Sequence, residues 1–260
     1  MATLENVSPG TAFGVFTPIS SALNNLPNGA GTIAALFNRQ SSTAAQDVTG
    51  LVTTSLSDWY HTLTFNTDRL FDDDGIIGLF ETPTFSSTTG WYIIVVTWPA
   101  GGAALDRFHH VYQTTPAGWT HSPSSANNGG NRAGPGTSSG AFRIGYMGDN
   151  NHTSSSYIAL VAAWAGVALS DAQCAELSVN NKTSDWWNNS GGQPTLLIEC
   201  TSTTPTDIGA NPSTFSSIGS LTLTGPNPTW TFDGRGAAVG PGSGPVSKFN
   251  PVPLMSNQRI

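Results

Sequence analysis

The chain has 260 residues, 38% hydrophobic and only 10% charged, with 29 Gly, 17 Pro and 8 Trp. Such a charge-poor, aromatic-rich balance excludes an intrinsically disordered chain and suits many short strands joined by polar turns. A net charge of −7 with nine scattered Lys and Arg excludes a basic footprint for nucleic acid, and no apolar run reaches the ~20 residues of a membrane-spanning helix.

The opening MATLENVSPG has no basic segment followed by an apolar one, so the expectation is a chain without a signal peptide, made in the cytoplasm. Residues 13–16 and 32–37 follow Gly-rich stretches and read as strands. Residues 60–65 alternate, placing His61, Leu63 and Phe65 on one face. The cluster Asp72-Asp73-Asp74-Gly75 reads as a turn. The run WYIIVVTW at 91–98, bounded by Thr89-Gly90 and Pro99, predicts a strand covered on both sides. Residues 107–112 alternate; adjacent strand residues face opposite sides, so His109-His110 reads as one buried and one surface histidine rather than a shared metal site. Segment 117–140, poor in apolar residues and rich in Ser, Asn, Gly and Pro, predicts a long exposed loop. Trp119 at its start is a candidate for stacking on a sugar ring.

Residues 142–146 alternate again, with Phe142, Ile144 and Tyr146 together, and 158–164 form a second apolar strand. A single helix is predicted over 169–179. Ser170 and Gln173 make a capping box there, and Leu169 with Cys174 a hydrophobic staple. Trp186-Trp187 are expected to pack against its end. Strands at 196–198, 221–223 and 229–232 complete the set. Cys174 and Cys200 fit no zinc spacing; two buried free thiols are expected, with a disulfide between them as the alternative. The stretch GRGAAVGPGSG at 234–244 is a linker. It leads to a Pro-rich arm, 245–260, whose prolines favour an extended path and whose Phe249 and Leu254 are candidate anchors on a neighbour.

The segment AFRIGYMGDN…SSSYIALVAAWAGVALSDAQCAEL (141–177) resembles the closing part of a laminin-G-like, or concanavalin A-like, jelly roll. Arg143-Ile144-Gly145 falls in its penultimate strand, Ala163-Trp164 in the next, and ALSDAQ (168–173) opens its short helix. Upstream, WYIIVVTWPAGGAALDRFHHVYQ is similar to the paired central strands, so the likeness covers about 10–177. Downstream, 194–225 is similar to the tail that follows such a domain in tailed-bacteriophage virion proteins, with Leu196-Leu197-Ile198, Asp207-Ile208-Gly209 and the strand 221–225 at matching places.

The resemblance implies an all-β antiparallel jelly-roll sandwich with one short helix and an extended C-terminal arm. Its divisions would be a jelly roll over 1–190, completing strands over 191–233, and linker and arm over 234–260. It further implies a virion structural protein on the particle surface, of capsid-decoration or minor-tail type. Such a protein would associate with other virion subunits and with copies of itself, and would touch host-surface glycans. Calcium at a loop rim is also implied, held by Asp72, Asp73 and Asp74 with Asp149 from another loop. Glycosidases of the same fold carry two catalytic carboxylates on one strand as E-x-D-x-x-E. The four Glu here, at 5, 81, 176 and 199, lie in no such pattern, so no catalytic residue is assigned and a non-enzyme is expected. A free lectin-like module and a degenerate glycosidase stand as the alternatives.

Overall fold

The computed structural model describes residues 3–5, 13–17, 29–39, 46–52, 59–66, 69–73, 79–81, 89–100, 107–115, 118–126, 141–145, 156–179, 186–200, 204–210, 212, 214–218, 222–225, 231–232 and 238–239. Its strands are β1 (Thr3–Glu5), β2 (Phe13–Thr17), β3 (Gly31–Arg39), β4 (Gln46–Val52), β5 (Trp59–Asn66), β6 (Arg69–Asp73), β7 (Leu79–Glu81), β8 (Gly90–Trp98) and β9 (Arg107–Thr115). They continue as β10 (Gly118–Ala126), β11 (Ala141–Gly145), β12 (Ser156–Ala165), β13 (Leu196–Glu199), β14 (Thr214–Ile218), β15 (Thr222–Gly225), β16 (Thr231–Phe232) and β17 (Ala238–Val239), with one helix, α1 (Asp171–Val179), between β12 and β13.

The strands pair antiparallel into two main sheets. The larger runs β10-β9-β8-β3-β12-β1-β15, with β13 sharing an edge of β12 with β1. The smaller runs β14-β2-β11-β4-β5-β6-β7. Among the described residues this is the antiparallel jelly-roll sandwich with one helix that the sequence predicts. β13 adds to β12, β14 to β2 and β15 to β1, so strands from the last third of the chain enter both sheets.

The central strands of the larger sheet are apolar along their whole length because both of its faces are covered. On the inner face, Ile33, Ala35 and Phe37 of β3 join Tyr92, Ile94, Val96 and Trp98 of β8 in a core that includes Phe142 and Ile144 from the smaller sheet. Phe37 and Tyr92, cross-strand partners, stack with ring centroids 5.8 Å apart. On the outer face, Ala34, Leu36, Trp91, Ile93 and Val95 meet Leu169, Cys174 and Leu177 of the α1 region, and Trp186. The small side chains of the partners Ala34 and Ala162 leave room for that layer. The alternation slips once. Between Ile158 and Leu160 the β12–β3 register shifts, so Ala159 is an extra residue, and both it and Leu160 face outward. The bulge turns the Ala159 carbonyl to accept from Cys200 N at 2.8 Å.

The helix starts where the capping box puts it. Gln173 N donates to Ser170 Oγ at 3.4 Å, and Ser170 N to Gln173 Oε1 at 2.9 Å. A buried Thr32 fixes the approach to the helix: its hydroxyl donates to Val167 O at 2.9 Å and accepts from Leu169 N at 3.0 Å.

Three expectations are corrected. The predicted loop 117–140 begins with a strand, β10, paired with β9 from Gly118↔Thr115 to Ala126↔Arg107. It ends the order of its sheet, and an edge strand needs neither an apolar run nor a donor at Pro123; its polar composition is that of an edge. Asp72 and Asp73, expected in a turn, are the last two residues of β6. Within the predicted linker, Ala238 and Val239 pair with Phe232 and Thr231.

Candidate functional site

Helix α1 brings the titratable side chains of the outer layer together. His110 of β9 is 2% exposed, and its Nε2 lies 3.7 Å from Asp171 Oδ1 in the first turn of the helix. That distance suits an ion pair rather than a hydrogen bond. Beneath the helix, burial pushes the Tyr112 phenol far up, with smaller contributions from Cys174 and Asp171. Burial, then Asp171, pushes the Cys174 thiol up to about 12. Cys200, fully buried on the inner face, is raised by burial and then by Glu199. Both cysteines are free thiols. A thiol held protonated is no nucleophile near neutral pH, so this cluster is packing chemistry.

A measurable consequence follows. Neither thiol should react with a thiol reagent at pH 8 until denaturant is added; rapid native-state labelling would contradict the burial. The sign for stability is also fixed. The folded pKa values lie above the unfolded ones, so the stabilisation is complete below the ordinary thiol value of 9.0 and is lost as pH rises through the folded values. Chemical denaturation should therefore show stability falling from about pH 9 upward.

The second feature is the turn after the helix, 186–193. Trp186 is wholly buried and donates from Nε1 to Leu177 O at 3.2 Å, closing the helix end as expected. Trp187 is not buried with it. One residue along a helical turn rotates by about 100°, and its ring lies half-buried against the same apolar layer. Asn189 then ties the turn down. Its Nδ2 donates to Gln173 O at 2.9 Å, its Oδ1 accepts from Gly191 N at 2.8 Å, and its carbonyl accepts from Gly192 N at 2.9 Å. The Glu176 carboxylate accepts from Ser190 N at 2.8 Å and from Ser190 Oγ. Gly192, at φ 96°, presents its carbonyl to Trp164 Nε1 at 2.8 Å.

A third feature, around Asp207, closes the free side of β13. The Asp207 carboxyl accepts from Leu197 N at 3.1 Å and Gly209 N at 2.9 Å, while Ile208 N donates to Leu197 O at 2.8 Å. This is an Asx-type turn serving the sheet edge.

Of the sequence candidates, Trp119, Asp72 and Asp73 fall among the described residues. Trp119 is the second residue of β10, opposite Thr114. Asp72 pairs with Leu63 and Phe80, and Asp73 with Thr62 and Leu79, so both stand at the end of a strand paired on its two edges. Asp74, Asp149, Phe249 and Leu254 lie outside the described residues. From the sequence Trp186 and Trp187 read together as packing the helix end, because two adjacent tryptophans after a helix read alike; only the fold separates them.

No protein-family model matches the chain, and no curated protein matches it in sequence. Its fold is similar to that of the native heptameric SAP-like pentraxin from Limulus polyphemus, at a TM-score of 0.51 and 12% identity, over 85% of this chain and 94% of that one. At that identity the likeness is one of fold, and the fold is the jelly roll expected from the sequence.

Proposed function

We propose that this chain is a non-enzymatic structural and adhesive module of a virus particle, attached to other virion subunits and touching host-surface glycans. The observation that carries it is how the larger sheet is filled. Apolar side chains pack the described central strands on both faces, which leaves ligand contact on this sheet to its turns and strand ends, as in surface adhesion. The four glutamates stand on four different elements, β1, β7, α1 and β13, whereas a glycosidase of this fold would carry two of them on one strand in an E-x-D-x-x-E pattern. The virion context is supported by the resemblance of 194–225 to tailed-phage proteins. Calcium at a loop rim would be held by Asp72, Asp73, Asp74 and Asp149, as the resemblance implies, and no step of the adhesion is routed through it.

Locating the chain by mass spectrometry of separated heads and tails tests the attachment, and a glycan array tests the adhesion. The arm 245–260, with Phe249 and Leu254 as its anchors, is proposed to clamp an adjacent subunit. Deleting it should leave the melting curve of the jelly roll unchanged and abolish incorporation into particles. Normal assembly of the truncated chain would rule the arm out as the anchor. Selective sugar binding with no particle association would instead favour a free lectin-like module.

A further inference from the structure

We infer that the turn 186–193, with Trp187 as its platform, is a binding site for a neutral glycan. The inference rests on the adhesive reading above and gives it a location that the sequence candidates did not.

Three observations carry it. First, Trp187 is a large aromatic left half-buried while its neighbour Trp186 is wholly enclosed. An indole packed on one side against an apolar layer offers its remaining surface to the C–H face of a sugar ring, and its N–H to a hydroxyl. Second, the turn reads WWNNSGGQ and contains no charged residue. Ser190 and Gln193 are exposed in the same turn; a side-chain amide both donates and accepts, and the Ser190 hydroxyl, its proton given to Glu176, still accepts from a sugar hydroxyl. The nearby carboxylate of Glu176 is turned to Ser190, accepting from its N and Oγ. Third, the turn is held before any ligand arrives. Asn189 and Ser190 bind it to α1, and Trp164 binds it to β12 through Gly192. A platform fixed in this way loses little further conformational freedom on binding.

The test uses the whole chain. A glycan array identifies a neutral oligosaccharide, and calorimetry with that sugar compares the wild type with Trp187→Ala, Trp187→Tyr and Ile208→Ala. The expected result is affinity about tenfold or more weaker in Trp187→Ala, largely retained in Trp187→Tyr, and unchanged in Ile208→Ala, an exposed position on a different turn. Hydroxyl-radical footprinting of the unmodified chain gives a readout that does not depend on how any variant folds: the sugar should protect the Trp187 peptide from oxidation. Glycan binding that persists undiminished in Trp187→Ala, or leaves the Trp187 peptide unprotected, overturns this site while leaving the adhesive reading intact. An intact chain that binds no glycan on the array overturns both.

Discussion

Trp164→Ala should lower the stability of the fold by about 3–5 kcal/mol, the usual loss for a buried Trp truncated to Ala. In a chain of this size that corresponds to a melting temperature lower by roughly 8–15 °C. Trp164 is 1% exposed and sits on the outer face of β12, where it packs in the layer formed by Leu169, Cys174, Leu177 and Trp186. Its removal leaves a cavity between sheet and helix that rigid strands cannot close. It also strips the Gly192 carbonyl of the indole donor at 2.8 Å, which loosens the turn carrying Trp187. The two effects separate with Trp164→Phe. A phenyl ring refills most of the volume but cannot donate, so this variant should lose only about 1–2 kcal/mol, the scale of one hydrogen bond. Urea denaturation followed by far-UV circular dichroism reads both. A Trp164→Ala variant melting within two or three degrees of the wild type would mean that the helix does not seal this face.

The parts of the fold that can be read from the chain are those where local pattern and tertiary environment agree. WYIIVVTW announces a doubly covered strand because both of its faces are apolar, and β8 is buried from Trp91 to Trp98. Ser170 and Gln173 announce the helix start because a cap is a local hydrogen-bond problem with a local solution. β10 was hidden for the opposite reason. GWTHSPSSA has the composition of a loop, since an edge strand is stabilised by pairing with its neighbour and not by an apolar face. The bulge at Ala159 was equally silent, because one additional small residue in an apolar run leaves the composition unchanged.

The candidate site was less legible still. Trp186 and Trp187 are identical in type and adjacent in sequence, and what distinguishes them is the rotation of a short helical turn whose first indole bonds to Leu177 O. The same holds for Asp207. As one of twelve aspartates it attracts attention only through the Asp-x-Gly spacing, which suggests a turn but not the strand that the turn protects. That strand, β13, supplies Leu196 and Ile198 to the core between the sheets and Leu197 to the layer beneath the helix.

Asp207 therefore makes the sharper test of how the C-terminal strands are held. β13 pairs with β12 on one side only, and on its other side Leu197 exchanges hydrogen bonds with the Asp207 carboxyl and Ile208 N, while Ala210 N donates to Pro194 O at 3.0 Å. Asp207→Ala removes the acceptor of two buried hydrogen bonds, from Leu197 N and Gly209 N. Orphaned buried donors cost about 1–3 kcal/mol each, so a total loss of about 2–4 kcal/mol is expected after partial relaxation. Asp207→Asn keeps an oxygen in the accepting position and should remain close to the wild type. Gly209→Ala attacks the same turn by steric means. A Cβ there would lie 2.5 Å from Leu196 Cα and overlap the Thr195 carbonyl oxygen; backbone cannot yield as a side-chain tip can, so the turn must lift from β13. Hydrogen exchange at Leu197 reports the outcome directly, because its amide donates to Asp207 Oδ1. Fast exchange in Asp207→Ala and Gly209→Ala, with slow exchange in Asp207→Asn, is the expected pattern. Equal protection in all three would show that β13 is held by its apolar contacts and that the turn merely follows the sheet.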